Sequence, residues 1–340
     1  MQNHVRRKFL MTAGLLPTSG ALLSACASRA QVQASPTPPT PPTARQRLSL
    51  VTGAPGGGFL LYGEALAATL AIRSHLDFQV LSTQGTAENI NRLHARDIDV
   101  ALLVMGPTFD AWNGQASWKD KPQRMMRAVA PMYETPFHCM ARASSGIVDL
   151  QGLAGKRVGV GPAKGTAEGF FVGLMEALKM TCTLVNGTPT QHAEQLAKGE
   201  IDVFWFGAGL PVPAFAHAIQ LGGMSANMRV FGFNATERSV FMQRFPYFAP
   251  FTIPANTYAG QTQSVESVAV WNFVAVHAAM SDDLAYWITR SILQSTAELT
   301  KRYPAATSTR GEFLAANTFL PFHAGAQRYF REQRWAFPER

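Results

Sequence analysis

After Arg47 the chain alternates short apolar runs with longer amphipathic stretches. Apolar runs of this length are typical of buried strands, and amphipathic stretches are typical of helices that cover a sheet. The pattern predicts strands at 48–52, 78–82, 98–104, 157–161, 183–185 and 201–206, and helices at 59–72, from the turn at 83–86 to 94, and at 166–179. Strands that alternate with helices indicate an α/β architecture with mostly parallel sheets, and the restart of the pattern at 157 predicts two α/β lobes.

The predicted turns from strand to helix are rich in glycine and threonine. A glycine-rich turn occupies 53–58, TQGT occupies 83–86, and the turn at 162–165 leads into Thr166. Where a helix begins, its backbone N–H groups and its positive dipole end face outward, so such turns bind carboxylates or phosphates. We therefore expect an anion site. The candidate ligand-binding residues are Gly57, Gly58, Phe59, Thr83, Gly85, Thr86, Asn89, Met105, Lys164, Gly165, Thr166, Phe206 and Gly207.

Each candidate also has a purely structural interpretation. Thr86 and Thr166 are suited to cap their helices, a role worth about 1 kcal/mol that is compatible with ligand contact. The glycines are suited to backbone conformations with positive φ. Lys164 is alternatively a solvated turn residue, and Asn89 a polar surface residue one turn into its helix. Phe206 is the aromatic residue nearest the carboxyl end of its predicted strand, so we expect it to face the ligand.

The sequence does not match the motifs of nucleotide-binding proteins, hydrolases or metalloenzymes. The turn at 53–58 does not fit G-x-G-x-x-G, and in 161–166 the lysine precedes the glycine, unlike the order in a phosphate-binding loop. The sequence contains no G-x-S-x-G, no H-E-x-x-H and no cysteine pair at metal-binding spacing, and its histidines are scattered singly. We therefore expect no catalytic residue, no metal site and no cofactor.

The segment 1–25 predicts an export signal. It carries three basic residues, Arg6, Arg7 and Lys8, before an apolar run that contains two glycines and a proline. The arginine pair resembles the twin-arginine export signal. The sequence LSAC at 23–26 resembles a lipoprotein processing box, which makes Cys26 the predicted lipidation site. The alternatives are a plain secretory signal and an uncleaved anchor, although an anchor needs about 20 uninterrupted apolar residues.

A proline-rich linker is predicted at 26–46. It contains SPTPPTPPT at 35–43, which forms neither helix nor sheet and favours an extended polyproline spacer. The folded part is therefore expected to begin near Arg47. The predicted localisation is the periplasm, with a tether to a membrane through the lipid alone.

Net charge and cysteine content further limit the partners and the disulfide bonds that the protein can have. The formal net charge is +8, and without the three basic residues of 1–25 it is +5 (8 minus 3). After residue 25 no run of Lys or Arg is present, so we expect no nucleic-acid partner, and the diffuse positive charge favours an anionic ligand modestly. Cys139 and Cys182 remain once Cys26 is lipidated, and they are either free or joined by a disulfide in an oxidising compartment.

From about Leu48 to Arg331 the sequence resembles the TAXI family of solute receptors for TRAP-type transporters. The order and spacing of several segments carry the resemblance, since no single segment is specific. They include Gly56-Gly57 with Gly63, Thr83 with Gly85-Thr86 and Glu88-Asn89, Asp110-Ala111 with Asn113-Gly114, Gly155-Lys156-Arg157-Val158 before Gly161-Pro162 and Gly165-Thr166, Ile201-Asp202 with Phe204 and Phe206, PYFAPFTIPANTYAGQ at 246–261, and His323-Ala324-Gly325-Ala326.

The resemblance implies a type II periplasmic-binding-protein fold, with two α/β lobes joined by crossover strands and a ligand cleft between them. Lobe 1 is expected at 47–140 with a returning part at 260–340, and lobe 2 at 141–259. Ligands of such folds lie outside the carboxyl ends of the strands. Three departures from the family pattern bear on the ligand: Phe59-Leu60 replaces an aromatic pair, Val104-Met105-Gly106 lacks a Gln and an Asp, and Lys164 adds a cation.

The expected function is that of a monomeric receptor that closes on a small organic anion and delivers it to the membrane subunits of a TRAP-type transporter. Because the missing Asp would have paired with an ammonium group, the sequence favours a mono- or dicarboxylate with an apolar body over an amino acid. A receptor that reports its ligand to a membrane signalling protein is an alternative, and so is a periplasmic enzyme. The cleft turns offer no carboxylate or histidine to such an enzyme.

Overall fold

The structure is a computed structural model, and it describes residues 38–223 and 227–339. The predicted export signal at 1–25 and Cys26 lie outside the described residues. Among the helices of the described ranges, none is both long enough and apolar enough to cross a membrane.

Ten strands of the described chain form one mixed sheet, in the order β2-β1-β3-β10-β4-β7-β5-β6, with β8 beside β4 and β9 beside β10. The strands are β1 Gln46–Val51, β2 Leu76–Leu81, β3 Val100–Val104, β4 Met126–Arg142, β5 Arg157–Gly159, β6 Thr183–Val185, β7 Val203–Gly207, β8 Met228–Phe231, β9 Ala249–Ile253 and β10 Val265–His277.

Helices connect and cover the strands. Within the described ranges they are α1 Gly58–Arg73, α2 Thr86–His94, α3 Met105–Asn113, α4 Thr166–Leu178, α5 Pro189–Lys198, α6 Pro213–Leu221, α7 Ala235–Arg244, α8 Asp282–Gln294, α9 Thr296–Arg302 and α10 Ala324–Glu332. All predicted strands and helices named above are confirmed, with ends shifted by a few residues.

Two groups of parallel strands lie at the two sides of the sheet. β1 pairs in parallel with β2 and β3, and β5 pairs in parallel with β6 and β7. Between them run β4 and β10, which are antiparallel to each other. β4 is also antiparallel to its outer neighbour β7, and β10 to its outer neighbour β3. We call the two sides the β1 group and the β5 group. The predicted α/β architecture with crossover strands is confirmed, whereas the residue limits of the two lobes stay a prediction.

The crossover strand β4 is buried along almost its whole length. It has 17 residues, and its burial pattern leaves only Arg127, Glu134 and Arg142 partly exposed. A strand that is buried on both faces has a continuous apolar sequence, without alternation of apolar and polar residues. One apolar core therefore extends through both strand groups.

The two cysteines of the described chain are free thiols. Cys139 is buried in β4, and Cys182 is half-buried between α4 and β6. The disulfide that the sequence allowed is absent.

The end of the predicted linker packs on the folded body. Pro39 is buried, and the Trp287 indole N–H on α8 donates to the Thr40 carbonyl at 3.1 Å. Proline-rich segments in an extended conformation often dock on aromatic side chains, because little conformational entropy is lost. Residues before Arg47 therefore already pack on the folded body.

Candidate functional site

A cavity of about 80 Å³ lies where the carboxyl ends of both strand groups meet. Its lining residues come from the ends of β3 and β7, from the middle of β4, and from the turns that lead into α1, α2 and α4. Parallel strands bring their carboxyl ends to one edge of a sheet, which is the usual ligand position in open α/β folds.

The structure brings most of the predicted residues to this cavity. Those that line it are Gly57, Gly58, Phe59, Gly85, Thr86, Thr166, Phe206 and Gly207. Thr83, Asn89 and Met105 are buried nearby without lining it, and Lys164 and Gly165 line a separate crevice.

Three helices of the described chain begin at the cavity, each after a glycine. The N-cap residues of α1, α2 and α4 are Gly57, Gly85 and Gly165, and none of these helices has a side-chain cap. The prediction that Thr86 and Thr166 cap their helices is wrong, because each is the first residue inside its helix. The first N–H groups of the helices are thus left for a ligand.

The turns before α2 and α4 have nearly the same sequence, QGTAE at 84–88 and KGTAE at 164–168. In the first, the Gln84 N–H donates to the Glu88 carboxylate at 2.9 Å. In the second, the Lys164 N–H donates to the Glu168 carboxylate. Both glutamates lie in the first turn, where a negative charge stabilises a helix. This repeat is a signal, visible in the sequence alone, that pairs the two turns.

The threonine hydroxyls of the cavity have hydrogen atoms to donate. Thr86 Oγ1 accepts from the Val104 N–H at 3.1 Å, and Thr135 Oγ1 accepts from the Asn272 amide at 2.8 Å. Neither hydroxyl donates to an acceptor among the described residues. Both can therefore donate to a ligand oxygen.

Thr83 and Asn89 hold the second turn from behind. The Thr83 hydroxyl lies 2.7 Å from Asn89 Oδ1 and 3.1 Å from the Thr52 carbonyl. The Asn89 amide donates to the carbonyls of Thr52 and Leu102, both at 2.8 Å. This network joins the ends of β1 and β3 to the start of α2. The positions of Thr83 and Asn89 fit support of the turn better than contact with a ligand.

Two tyrosines close the floor of the cavity. Tyr133 on β4 lines the cavity and is 1% exposed, and Tyr303 lies beside it, with ring centroids 5.4 Å apart. Among the described residues the two hydroxyls interact with each other, and the Tyr303 hydroxyl also with the Gly209 backbone, although neither forms a well-aligned hydrogen bond. Burial raises the pKa of both phenols, so both stay protonated and can donate. Tyr133 and Thr135 were not among the residues predicted from the sequence.

Gly58 is required for this arrangement. A Cβ at this position would lie 2.7 Å from the Tyr303 hydroxyl oxygen and 3.1 Å from the Tyr133 hydroxyl oxygen. The first turn of α1 can therefore approach the two phenols only without a side chain.

No charged side chain is among the described residues that line the cavity. The charge of an anion bound there would be balanced by helix N-termini and hydroxyl groups. The larger apolar side chains of the lining are Phe59, Val104, Phe137 and Phe206, and the smaller ones are Ala54, Pro162, Ala167 and Ala208.

Lys164 lies on a second, outer crevice of about 420 Å³. Its side chain is exposed, and its backbone has a φ of 60°. The same crevice contains Asp110, Arg244 and Tyr247. Burial raises the pKa of Asp110, and the charge of Arg244 partly opposes this effect.

The model of the NMT1-like family matches residues 50–333. The chain belongs to the NMT1-like family. This family corresponds to the TRAP-associated TAXI solute-binding proteins, so the resemblance stated above is confirmed. It is a family of binding proteins and not of enzymes. No curated protein matches the sequence.

Solved structures similar to this NMT1-like protein show the same fold. The periplasmic binding protein BugD has a TM-score of 0.55 at 10% identity, covering 86% of this chain and 94% of that one. MatC from Rhodopseudomonas palustris with bound malate has a TM-score of 0.54 at 15% identity, covering 85% and 97%. A periplasmic transporter has a TM-score of 0.53 at 14% identity, covering 86% and 96%. The predicted type II periplasmic-binding-protein fold is confirmed.

Proposed function

We propose that this solute-binding protein captures a small organic anion outside the cytoplasm and delivers it to a TRAP-type transporter. One observation carries the proposal of an anionic ligand: the uncapped N-termini of α2 and α4, one from each strand group, meet at a cavity lined by no charged side chain of the described chain. Each helix N-terminus is equivalent to about half a positive charge and presents free N–H donors.

The cavity fits a compact ligand. At roughly 10 to 15 Å³ per water-sized group, a volume of about 80 Å³ corresponds to a molecule of a few carbon atoms with its polar groups. The aromatic wall suits an apolar body, and without a carboxylate in the lining an ammonium group would be left unpaired. MatC, which has the same fold, is known with bound malate, and this supports a carboxylate.

Capture by hinge closure is supported by contacts between the two strand groups. A Cβ at Gly85 would lie 3.3 Å from Thr166 Oγ1, and one at Gly56 would lie 2.2 Å from Thr190 Oγ1. These contacts join the two proposed lobes, 47–140 with 260–340 and 141–259, directly beside the cavity. A ligand that touches both sides selects this closed arrangement, and β4 and β10 are the connections about which it opens.

Delivery to a TRAP-type transporter is supported by membership of the NMT1-like family. The predicted lipidation of Cys26 and the predicted twin-arginine signal support a position at the periplasmic face of a membrane.

A thermal-shift series tests the ligand class. Short carboxylates should raise the melting temperature of the purified protein, because a ligand bound only by the folded state stabilises it by about 2.7 kcal/mol at a hundredfold excess over Kd. Sugars and alkylamines of equal size serve as controls. If only the controls stabilise the protein, the ligand is not an anion.

Uptake into proteoliposomes tests the transporter. The candidate transporter subunits should accumulate the identified carboxylate only when this protein is added. Equal accumulation without it would contradict delivery.

A further inference from the structure

The positive charge of the chain after residue 25 is concentrated in one short segment. Residues 119–127, KDKPQRMMR, run into the start of β4 and contain four basic residues and one acidic residue, Asp120. Their net charge of +3 (4 minus 1) is more than half of the +5 that remains without 1–25. The side chains of Lys119, Lys121 and Arg124 are exposed. This segment is therefore the most basic part of the surface that the sequence alone points to.

The fold adds further basic residues to this segment. β3 and β4 begin, and β10 ends, at the same edge of the sheet. Burial lowers the pKa of His277, the last residue of β10, and nearby positive charges lower it further. These charges belong to Arg96, His94 and Arg127. The loop before β3 and the loop before β4 thus bring their cations together, and we call Arg96, Lys119, Lys121, Arg124 and Arg127 the basic edge.

The charges of the basic edge have no carboxylate partner in the described chain. None of its five members takes part in an ion pair among the described residues. Asp97, the neighbour of Arg96, instead lies 3.3 Å from Arg92. A partner from outside the described chain can therefore neutralise these charges without breaking an existing pair.

Apolar side chains lie among these charges. Met125 is 37% exposed. The guanidinium groups of Arg124 and Arg127 lie over the half-buried Trp112 ring, at 4.7 and 5.9 Å from its centroid. Tryptophan is enriched where a membrane meets water, because its ring is apolar and its N–H is polar. Cations beside an exposed methionine and a tryptophan suit a lipid surface better than a purely polar partner.

The predicted tether reaches the folded body at the same edge. α8 follows β10 after a short turn, and Trp287 on α8 donates to the Thr40 carbonyl. Trp287 is about 7.5 Å along the axis from the start of this helix, at 1.5 Å per residue. The chain from Cys26 to residue 38 spans at most about 40 Å, even when fully extended. A lipid at Cys26 would therefore keep the basic edge within reach of the membrane surface.

We infer that the basic edge rests on the anionic phospholipid headgroups of the membrane that holds the tether. The inference goes beyond the proposed receptor function, and it adds a second membrane contact to the predicted one through the lipid alone. Tyr133, which lines the cavity, is seven residues along β4 from Met126, a distance of roughly 23 Å. Contact with headgroups therefore leaves the cavity uncovered.

Co-sedimentation with vesicles tests the inference. The predicted mature chain, residues 26–340, carries Cys26→Ser so that no lipid is attached, and it contains the whole compact unit Pro36–Arg340. It should sediment with vesicles that contain phosphatidylglycerol and phosphatidylcholine in equal parts, and not with phosphatidylcholine alone. Added salt should weaken the binding, because salt screens charges at a surface. Equal binding to both kinds of vesicle, or binding to neither, would overturn the inference.

Lys121→Gln combined with Arg124→Gln removes two charges of the basic edge. This double variant should bind the anionic vesicles about tenfold or more weakly, since each basic residue near an anionic surface strengthens binding about fivefold. Lys198→Gln combined with Arg229→Gln is the matched control, because both side chains are exposed and neither takes part in an ion pair among the described residues. Arg229 pairs with Ala141, at the far end of β4.

The control has the same net charge as the test variant and should bind the vesicles as the wild type does. Thermal melts of both double variants should match the wild type, because the replaced side chains are exposed. Equal losses of vesicle binding in the two would mean that binding follows net charge and not the basic edge, which would contradict the inference.

A soluble polyanion separates a lipid from an acidic protein as the partner. If polyglutamate binds at the basic edge and anionic vesicles do not bind, an acidic protein replaces the lipid and the inference fails. The vesicle assays contain no carboxylate ligand, so their failure leaves the proposed anion receptor intact. Failure of every small carboxylate to bind would equally leave the vesicle result intact.

Discussion

Gly85 and Thr166 touch across the boundary between the two strand groups, since a Cβ on Gly85 would lie 3.3 Å from Thr166 Oγ1. Gly85 has a φ of 125°, which side chains rarely tolerate. The contact lies beside the cavity, where both turns present their helix N-termini. The closed arrangement therefore depends on the absence of a side chain at this position.

Gly85→Ala should lower ligand affinity at least tenfold, because the two turns can no longer approach as closely. Backbone strain of the order of 1 to 3 kcal/mol should also lower the free energy of unfolding. Gly146→Ala is the matched control: Gly146 also has a positive φ, 72°, but a Cβ there would meet nothing within 4 Å. It should cost stability alone, and calorimetry with a thermal melt of each variant separates the two effects. Equal affinity in Gly85→Ala and wild type would show that the contact is not needed for binding.

The position of Lys164 predicts that its charge has little effect on ligand affinity. The sequence predicted a pairing of Lys164 with the ligand, but its exposed side chain lines the outer crevice and not the cavity. Lys164→Met should therefore change ligand affinity by no more than about twofold, since an exposed charge is screened by solvent and salt. A loss of tenfold or more by calorimetry would return Lys164 to the binding site.

Gly106 controls a second contact between the strand groups. A Cβ on Gly106 would lie 2.4 Å from Tyr247 Cε2 and 2.8 Å from Phe170 Cζ. Gly106→Ala should therefore favour an open protein with lower ligand affinity and a larger radius of gyration in small-angle scattering. Tyr247→Ala in the same chain should restore part of the affinity, because it makes room for the added methyl group. Additive losses in the double variant would contradict a direct clash.

Local signals were enough to predict the parallel strands and the helices that follow them. The strand at 48–52 and the helix at 59–72, for example, are observed as Gln46–Val51 and Gly58–Arg73. Eight of the thirteen candidate residues line one cavity, six of them from the turns before α1, α2 and α4 and two, Phe206 and Gly207, from the end of β7. Short apolar runs and helix-start residues are sequence-local, so they can be read without knowing the tertiary contacts.

The cavity floor could not be predicted in the same way. Tyr133 and Thr135 lie in a long apolar strand, and only its pairing with β10 decides which face meets the cavity. That register is a contact between residues far apart in sequence, and it includes irregularities near Asn272. The direction of the Lys164 side chain could not be predicted either, because the residue types in a turn do not show which side of the turn faces the ligand.

The buried imidazole of His138 should make stability depend on pH. His138 Nε2 lies 2.8 Å from the Tyr258 hydroxyl, and Nδ1 lies 3.3 Å from the Pro136 carbonyl. A neutral ring with its hydrogen on Nδ1 satisfies both contacts, since Tyr258 then donates to Nε2. Burial lowers the pKa of His138 from 6.5 to about 3. The folded protein thus holds this ring neutral under conditions in which an exposed histidine is charged.

The sign of the pH effect follows from proton uptake by the unfolded chain. Above pH 6.5 both states are neutral at this position, and below it only the unfolded state gains a proton until the pH approaches 3. His138 should therefore reduce the free energy of unfolding by about 2 kcal/mol between pH 7.5 and pH 5. His138→Gln removes the titrating group and should show a shallower pH dependence over this interval in urea melts. The buried His192 and His323, whose pKa values burial also lowers, are present in both proteins and cancel in the comparison. Identical pH slopes in the two proteins would mean that the His138 ring is protonated, or solvated, in the folded state.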